Sequence, residues 1–79
     1  MTFQEKMASY TEEELRVIYE NTLTLETEGS IGECPFRDLY DWLVQDFGTY
    51  IGIHVAQNMF CWEVTRRHFE GGRVHDAPV

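Results

Sequence analysis

Two Thr-x-x-Glu capping signatures, a proline-led apolar stripe closed by glycine, and a long apolar stretch before a glycine pair predict an all-α fold. The expected architecture is a small bundle of three main helices plus a short N-terminal helix. It forms one domain over residues 1–72, with a flexible tail over 73–79.

Thr2 and Glu5 can satisfy each other's backbone N–H groups as a capping box, which predicts a short helix over about residues 3–9. Thr11 and Glu14 repeat the signature, with Tyr10 and Leu15 placed as a hydrophobic staple, and predict a helix from Glu12 to about Leu25. Its apolar positions Leu15, Ile18, Tyr19, Thr22 and Leu25 follow helical spacing. The run Glu12-Glu13-Glu14 lies in the first turn, where negative charge complements the helix dipole. Residues 26–34 contain two glycines and no periodicity and read as a loop.

Pro35 suits the first position of a new helix, because its missing N–H would have been unpaired there. Phe36, Leu39, Tyr40, Leu43 and Phe47 form the stripe, Gly48 supplies the stop, and Trp42 and Val44 stand off the stripe as second-contact candidates. From Tyr50 to Phe69 two apolar sets interleave. One is Ile51, Val55, Met59, Trp62 and Phe69; the other is Ile53, Ala56, Phe60 and Val64. A helix apolar on two sides is packed between neighbours or shared with another chain, so Ile51, Val55, Met59 and Trp62 are the expected dimer contacts. The β-branched residues among 49–55 leave a strand as the alternative there, although no second strand is evident to pair with it. Gly71-Gly72 is read as the helix end.

Charge is distributed unevenly. Residues 1–47 hold eleven carboxylates against three bases, whereas residues 48–79 hold three of each, so the first part carries the whole net charge of −8. An acidic surface attracts basic partners and repels nucleic acid. With 43% apolar residues and eleven aromatics the chain is too hydrophobic for a disordered acidic tail. A domain this small buries only roughly 60% of its unfolded surface, so some aromatics should remain outside as contacts. The N-terminus lacks the pattern of a signal peptide, and no apolar stretch approaches the ~20 residues of a membrane span, so the expectation is a cytoplasmic protein with no membrane partner. Cys34 and Cys61 are too few for a disulfide framework and are expected as packed thiols.

The motifs of catalysis are missing. His54, Cys61, His68 and His75 recur every seven residues, but seven residues of helix rise ~10.5 Å, too far for one chain to gather two of them on a single zinc ion. Neither cysteine has a local nucleophile signature, and Gly29, Gly32 and Gly48 lie outside any phosphate loop, with Lys6 the single lysine. No enzyme activity, metal or cofactor is expected. Arg66-Arg67-His68 and Arg73 form the one basic cluster, which the helix dipole and the neighbours Glu63 and Glu70 explain without nucleic acid.

The acidic surface therefore carries the functional reading. Glu13 and Glu20, Glu26 with Glu28 and Glu33, and Asp38 with Asp41 and Asp46 are spaced to form an array that can approximate the phosphates of duplex DNA, with Trp42 beside them. In length, charge, compact helical pattern and lack of catalytic residues, the chain resembles the small acidic phage-encoded inhibitors of host defence, including anti-CRISPR and DNA-mimic anti-restriction proteins. The acidic and aromatic residues of Glu12-Glu13-Glu14 and of 36–43 belong to that likeness. The resemblance implies action in the host cytoplasm by binding a basic nucleic-acid-binding protein or complex and blocking its recognition of target DNA. The alternative is a structural or adaptor subunit of a cytosolic assembly, in which the aromatics bind and the acids keep the chain in solution.

Overall fold

A computed structural model describes residues 1–76 and the side chains of residues 1–70. The chain forms four helices in the order α1 (Phe3–Ala8), α2 (Glu12–Glu28), α3 (Pro35–Phe47) and α4 (Ile53–Asp76), with no strand among the described residues. The fold is all-α, with three main helices and a short N-terminal one.

Both capping boxes are formed. Thr2 Oγ1 accepts from the Glu5 N–H at 3.1 Å while Glu5 returns a carboxylate oxygen to the Thr2 N–H at 2.8 Å. Thr11 and Glu14 repeat the arrangement at the same two distances. Helix α2 runs a turn further than the sequence pattern suggests, through Glu26, Thr27 and Glu28, which were expected in the loop. It stops at Gly29, whose φ of +76° is the left-handed cap conformation that glycine adopts without a Cβ penalty, and whose N–H donates to Leu25 O at 2.8 Å.

Helix α3 matches its expected span, from Pro35 in the first turn to a left-handed Gly48 cap. Its N-cap residue, Cys34, makes no side-chain cap bond. The cap comes from α2 instead: Asn21 Oδ1 accepts from the Phe36 N–H at 3.2 Å. This contact joins the two helices through a group that would otherwise be an orphan donor. Asn21→Ala should therefore lower stability by about 1 kcal/mol, read as a loss in the urea midpoint without a change in slope.

Helix α4 departs from expectation at both ends. Residues 49–52 are neither helix nor strand, and Gly52 O starts the helix by accepting from the N–H groups of Val55 and Ala56 at 3.0 and 3.2 Å. The segment is held by Tyr40, whose hydroxyl donates to Ile51 O at 2.7 Å. At the other end the helix continues through Gly71-Gly72 to Asp76, so residues 73–76 belong to the helix and not to a tail. Glycine inside a helix costs about 1 kcal/mol relative to Ala but does not prevent helical φ and ψ. Residues 77–79 of the expected tail lie outside the described residues.

The core gathers Met7 from α1, Ile18 and Leu25 from α2, Phe36, Leu39 and Leu43 from α3, and Ala56 and Phe60 from α4, all fully or almost fully buried. Of the two apolar sets on α4, the one containing Ala56, Phe60, Ile53 and Val64 faces this core. Gln57 ties α4 to α2 by donating to Thr22 O at 3.2 Å. Arg67 ties it to α1 by donating to Met7 O at 3.3 Å.

Candidate functional site

The carboxylates named in the sequence reading, Glu13, Glu20, Glu26, Glu28, Glu33, Asp38, Asp41 and Asp46, are all exposed. Helix α2 places Glu13 and Glu20 two turns apart, on the side away from Ile18, Thr22 and Leu25. Glu33, Asp38 and Asp41 meet Arg37 around an open hollow of about 710 Å³ at the start of α3. Glu26 lies on the side of α2 toward α4, close enough to Cys61 for its charge to act on the thiol. The acids therefore wrap around the α2 and α3 surface and do not form one row.

Their relation to the helix dipoles separates them into two groups. Glu12, Glu13, Glu14 and Asp38 occupy first turns, where the exposed N–H groups favour negative charge. Glu26 and Glu28 close α2 and Asp46 lies in the last turn of α3, and neither last turn contains a basic residue. A carboxylate at a helix C-terminus faces the unpaired carbonyls and is disfavoured by roughly 0.3–1 kcal/mol at low ionic strength. Local folding accounts for the first group and opposes the second.

The cations do not relieve this imbalance. Arg37 pairs with Asp41 at 3.4 Å, while Arg66 binds both Glu63 and Glu70. Glu63 is buried, takes two hydrogen bonds from Arg66 at 3.0 and 2.6 Å, and has Arg67 at 4.0 Å. Its partners hold the Arg66 guanidinium well above its ordinary pKa, chiefly through the hydrogen bond to Glu63. Arg66 and Arg67 are thus paired within the chain, Arg66 along α4 and Arg67 onto Glu63 and α1. Among the described residues no ion pair engages Glu13, Glu20, Glu26, Glu28, Glu33, Asp38 or Asp46.

The aromatic residues divide similarly. Trp42 is half buried against the core, with the Lys6 ammonium 5.7 Å from its ring centroid and 5.4 Å from that of Tyr10, so only part of its ring remains for a partner. Ile51 and Met59 are half buried against the core, while Val55 and Trp62 are exposed, Trp62 at 77%. Phe69 and Tyr50 are also exposed. Sequence periodicity does not reveal Asn21 as an organising residue, because its contact with Phe36 spans fifteen residues, and it shows the pairing of Glu63 with Arg66 and Arg67 but not the burial of Glu63.

Of the cysteine and histidine series, His54 Nδ1 lies 3.3 Å from Gln57 Oε1 and the exposed His68 ring meets Phe69 edge-on. No group of three potential metal ligands gathers among the described residues. His75 has no described side chain. Burial raises the Cys61 thiol above its ordinary pKa; the Thr22 hydrogen bond opposes this and the Glu26 charge adds to it. At pH 8 Cys61 should therefore react more slowly with a disulfide reagent than an unstructured cysteine peptide, and urea should remove the difference.

Comparison with protein-family models, curated proteins and solved structures finds no match to this chain. No helix among the described residues is long and apolar enough to cross a membrane.

Proposed function

We propose that this chain is a stoichiometric, non-catalytic inhibitor of a basic nucleic-acid-binding protein or complex, with a CRISPR effector as one such target, acting in the cytoplasm of the host cell. It sets carboxylates of α2, α3 and their connecting loop into the groove that otherwise receives target DNA. The supporting observation is the placement of Glu26, Glu28 and Asp46 at helix C-termini, exposed and without a basic residue in either last turn. Charge that opposes the local fold has its use outside the fold, and a groove built for a polyanion is the surface that gains most from it. Glu13, Glu20, Glu33, Asp38 and Asp41 extend the acidic surface, and the exposed part of Trp42 adds an apolar contact.

Binding of this kind weakens as salt rises, because screening acts on both the encounter and the contact. It is also exclusive with duplex DNA on the same groove. The second reading, an adaptor subunit, is favoured by the exposure of Tyr50, Trp62 and Phe69 at 78%, 77% and 65%. An adaptor held by those aromatics would bind in high salt and in the presence of DNA, so a competition assay at two ionic strengths separates the readings.

A further inference from the structure

We propose that α4 pairs antiparallel with α4 of a second copy of the chain through a seam of Val55, Met59, Trp62, Arg66 and Phe69. These positions alternate at spacings of four and three, the a/d pattern of a coiled-coil seam; Met59 packs partly against the core at one edge of it, and Val55, Trp62 and Phe69 turn away from Ala56 and Phe60. Val55, Trp62 and Phe69 are 51%, 77% and 65% exposed, so the single copy leaves the seam uncovered.

Charge selects a second copy as the occupant. Two molecules of net charge −8 repel across α2 and α3, but residues 53–76 hold three acids (Glu63, Glu70, Asp76) and three bases (Arg66, Arg67, Arg73). Helix α4 is thus the neutral side by which identical chains can approach. An antiparallel pair places Trp62 of each copy against Arg66 of the other and Met59 against Phe69, whereas a parallel pair would stack Arg66 on Arg66. The Trp–Arg arrangement lays each indole on the face of a guanidinium whose edges are held by Glu63 and Glu70, whereas the parallel one stacks two guanidiniums. Beside Trp62, a mainly apolar hollow of about 450 Å³ lined by Thr2, Phe3, Met59 and Arg66 offers room for the incoming indole.

Covering the exposed aromatics and their neighbours in both copies removes on the order of 1,000 Å² from water, the lower end for a specific interface. The dimer should accordingly be modest in affinity, and raising salt should tighten it by screening the acidic surfaces. This inference stands independently of the inhibitory role, whose contact weakens with salt.

Sedimentation of the full chain from 5 to 500 micromolar tests it. A shift from the 9.3 kDa monomer to twice that mass is expected with rising concentration. Trp62→Glu should raise the dissociation constant at least tenfold with an unchanged helical spectrum, since this side chain is outside the core. Phe69→Ser should act in the same direction, and Tyr19→Lys, at a half-exposed position of α2 outside the seam, should leave the dimer intact. A wild-type chain that stays monomeric throughout overturns the proposal. So does a dimer that survives both seam substitutions or dissociates with Tyr19→Lys.

Discussion

Phe60→Ala should bring the domain to the edge of unfolding at 25 °C. Phe60 is fully buried where α4 meets the other helices, among Met7, Ile18, Leu25, Phe36, Leu39 and Leu43. Truncating a buried Phe typically costs about 3–5 kcal/mol, from lost transfer energy and the cavity left behind. A 79-residue domain has roughly 4–12 kcal/mol in total. Circular dichroism should therefore show either a largely unfolded chain or a melting temperature lower by about 15 °C or more. Trp62→Ala offers the contrast. Its ring is 77% exposed and its loss should barely move the melt of the monomer.

The triple variant Glu26→Lys, Glu28→Lys, Asp46→Lys should lose target binding and gain stability. Each reversal replaces a carboxylate facing the carbonyl end of α2 or α3 by an ammonium that this end favours. The melting temperature should rise by several degrees at low salt, with the gain shrinking as salt is added. Against a basic groove the same three changes set like charges together, and affinity should fall at least a hundredfold. Opposite signs on stability and binding are the feature to look for. A variant that is both less stable and weaker in binding would indicate structural damage, and one with unchanged affinity would assign these acids to solubility.

Much of this fold is legible where local chemistry dictates it. Thr2 with Glu5, Thr11 with Glu14, and Pro35 with Gly48 act within a few residues, and the helix boundaries they mark are close to those observed. The boundaries that moved have physical reasons. Glu26-Thr27-Glu28 reads as loop because the stretch 26–34 carries two glycines and no apolar periodicity, yet the left-handed Gly29, with its N–H on Leu25 O, completes the turn. Gly71-Gly72 reads as a stop because glycine often caps helices, yet α4 passes through it. Gly52 begins α4 after a segment held by Tyr40, a contact spanning eleven residues that no periodicity encodes.

The candidate site was legible as composition and less so as geometry. That the eight acids are exposed follows from their places off the apolar stripes. Spacing could not show that Glu26 faces α4 or that Glu33, Asp38 and Asp41 share a hollow, since both depend on how α2, α3 and α4 pack. It also could not show that Trp42 lies beneath Lys6, which depends on where α1 docks. Arg66 and Arg67 pair with Glu63 as their spacing predicts, but the burial of that carboxylate is visible only in the fold.

The most direct test of the inhibitory role is affinity capture on the immobilised chain from lysates of cells carrying a CRISPR effector, with parallel washes in duplex DNA and in rising salt. The expected result is a basic nucleic-acid-binding protein that either wash releases and that the triple lysine variant does not retain. Retained proteins that ignore DNA and salt and bind wild type and variant equally would contradict the account and transfer the function to the exposed aromatics.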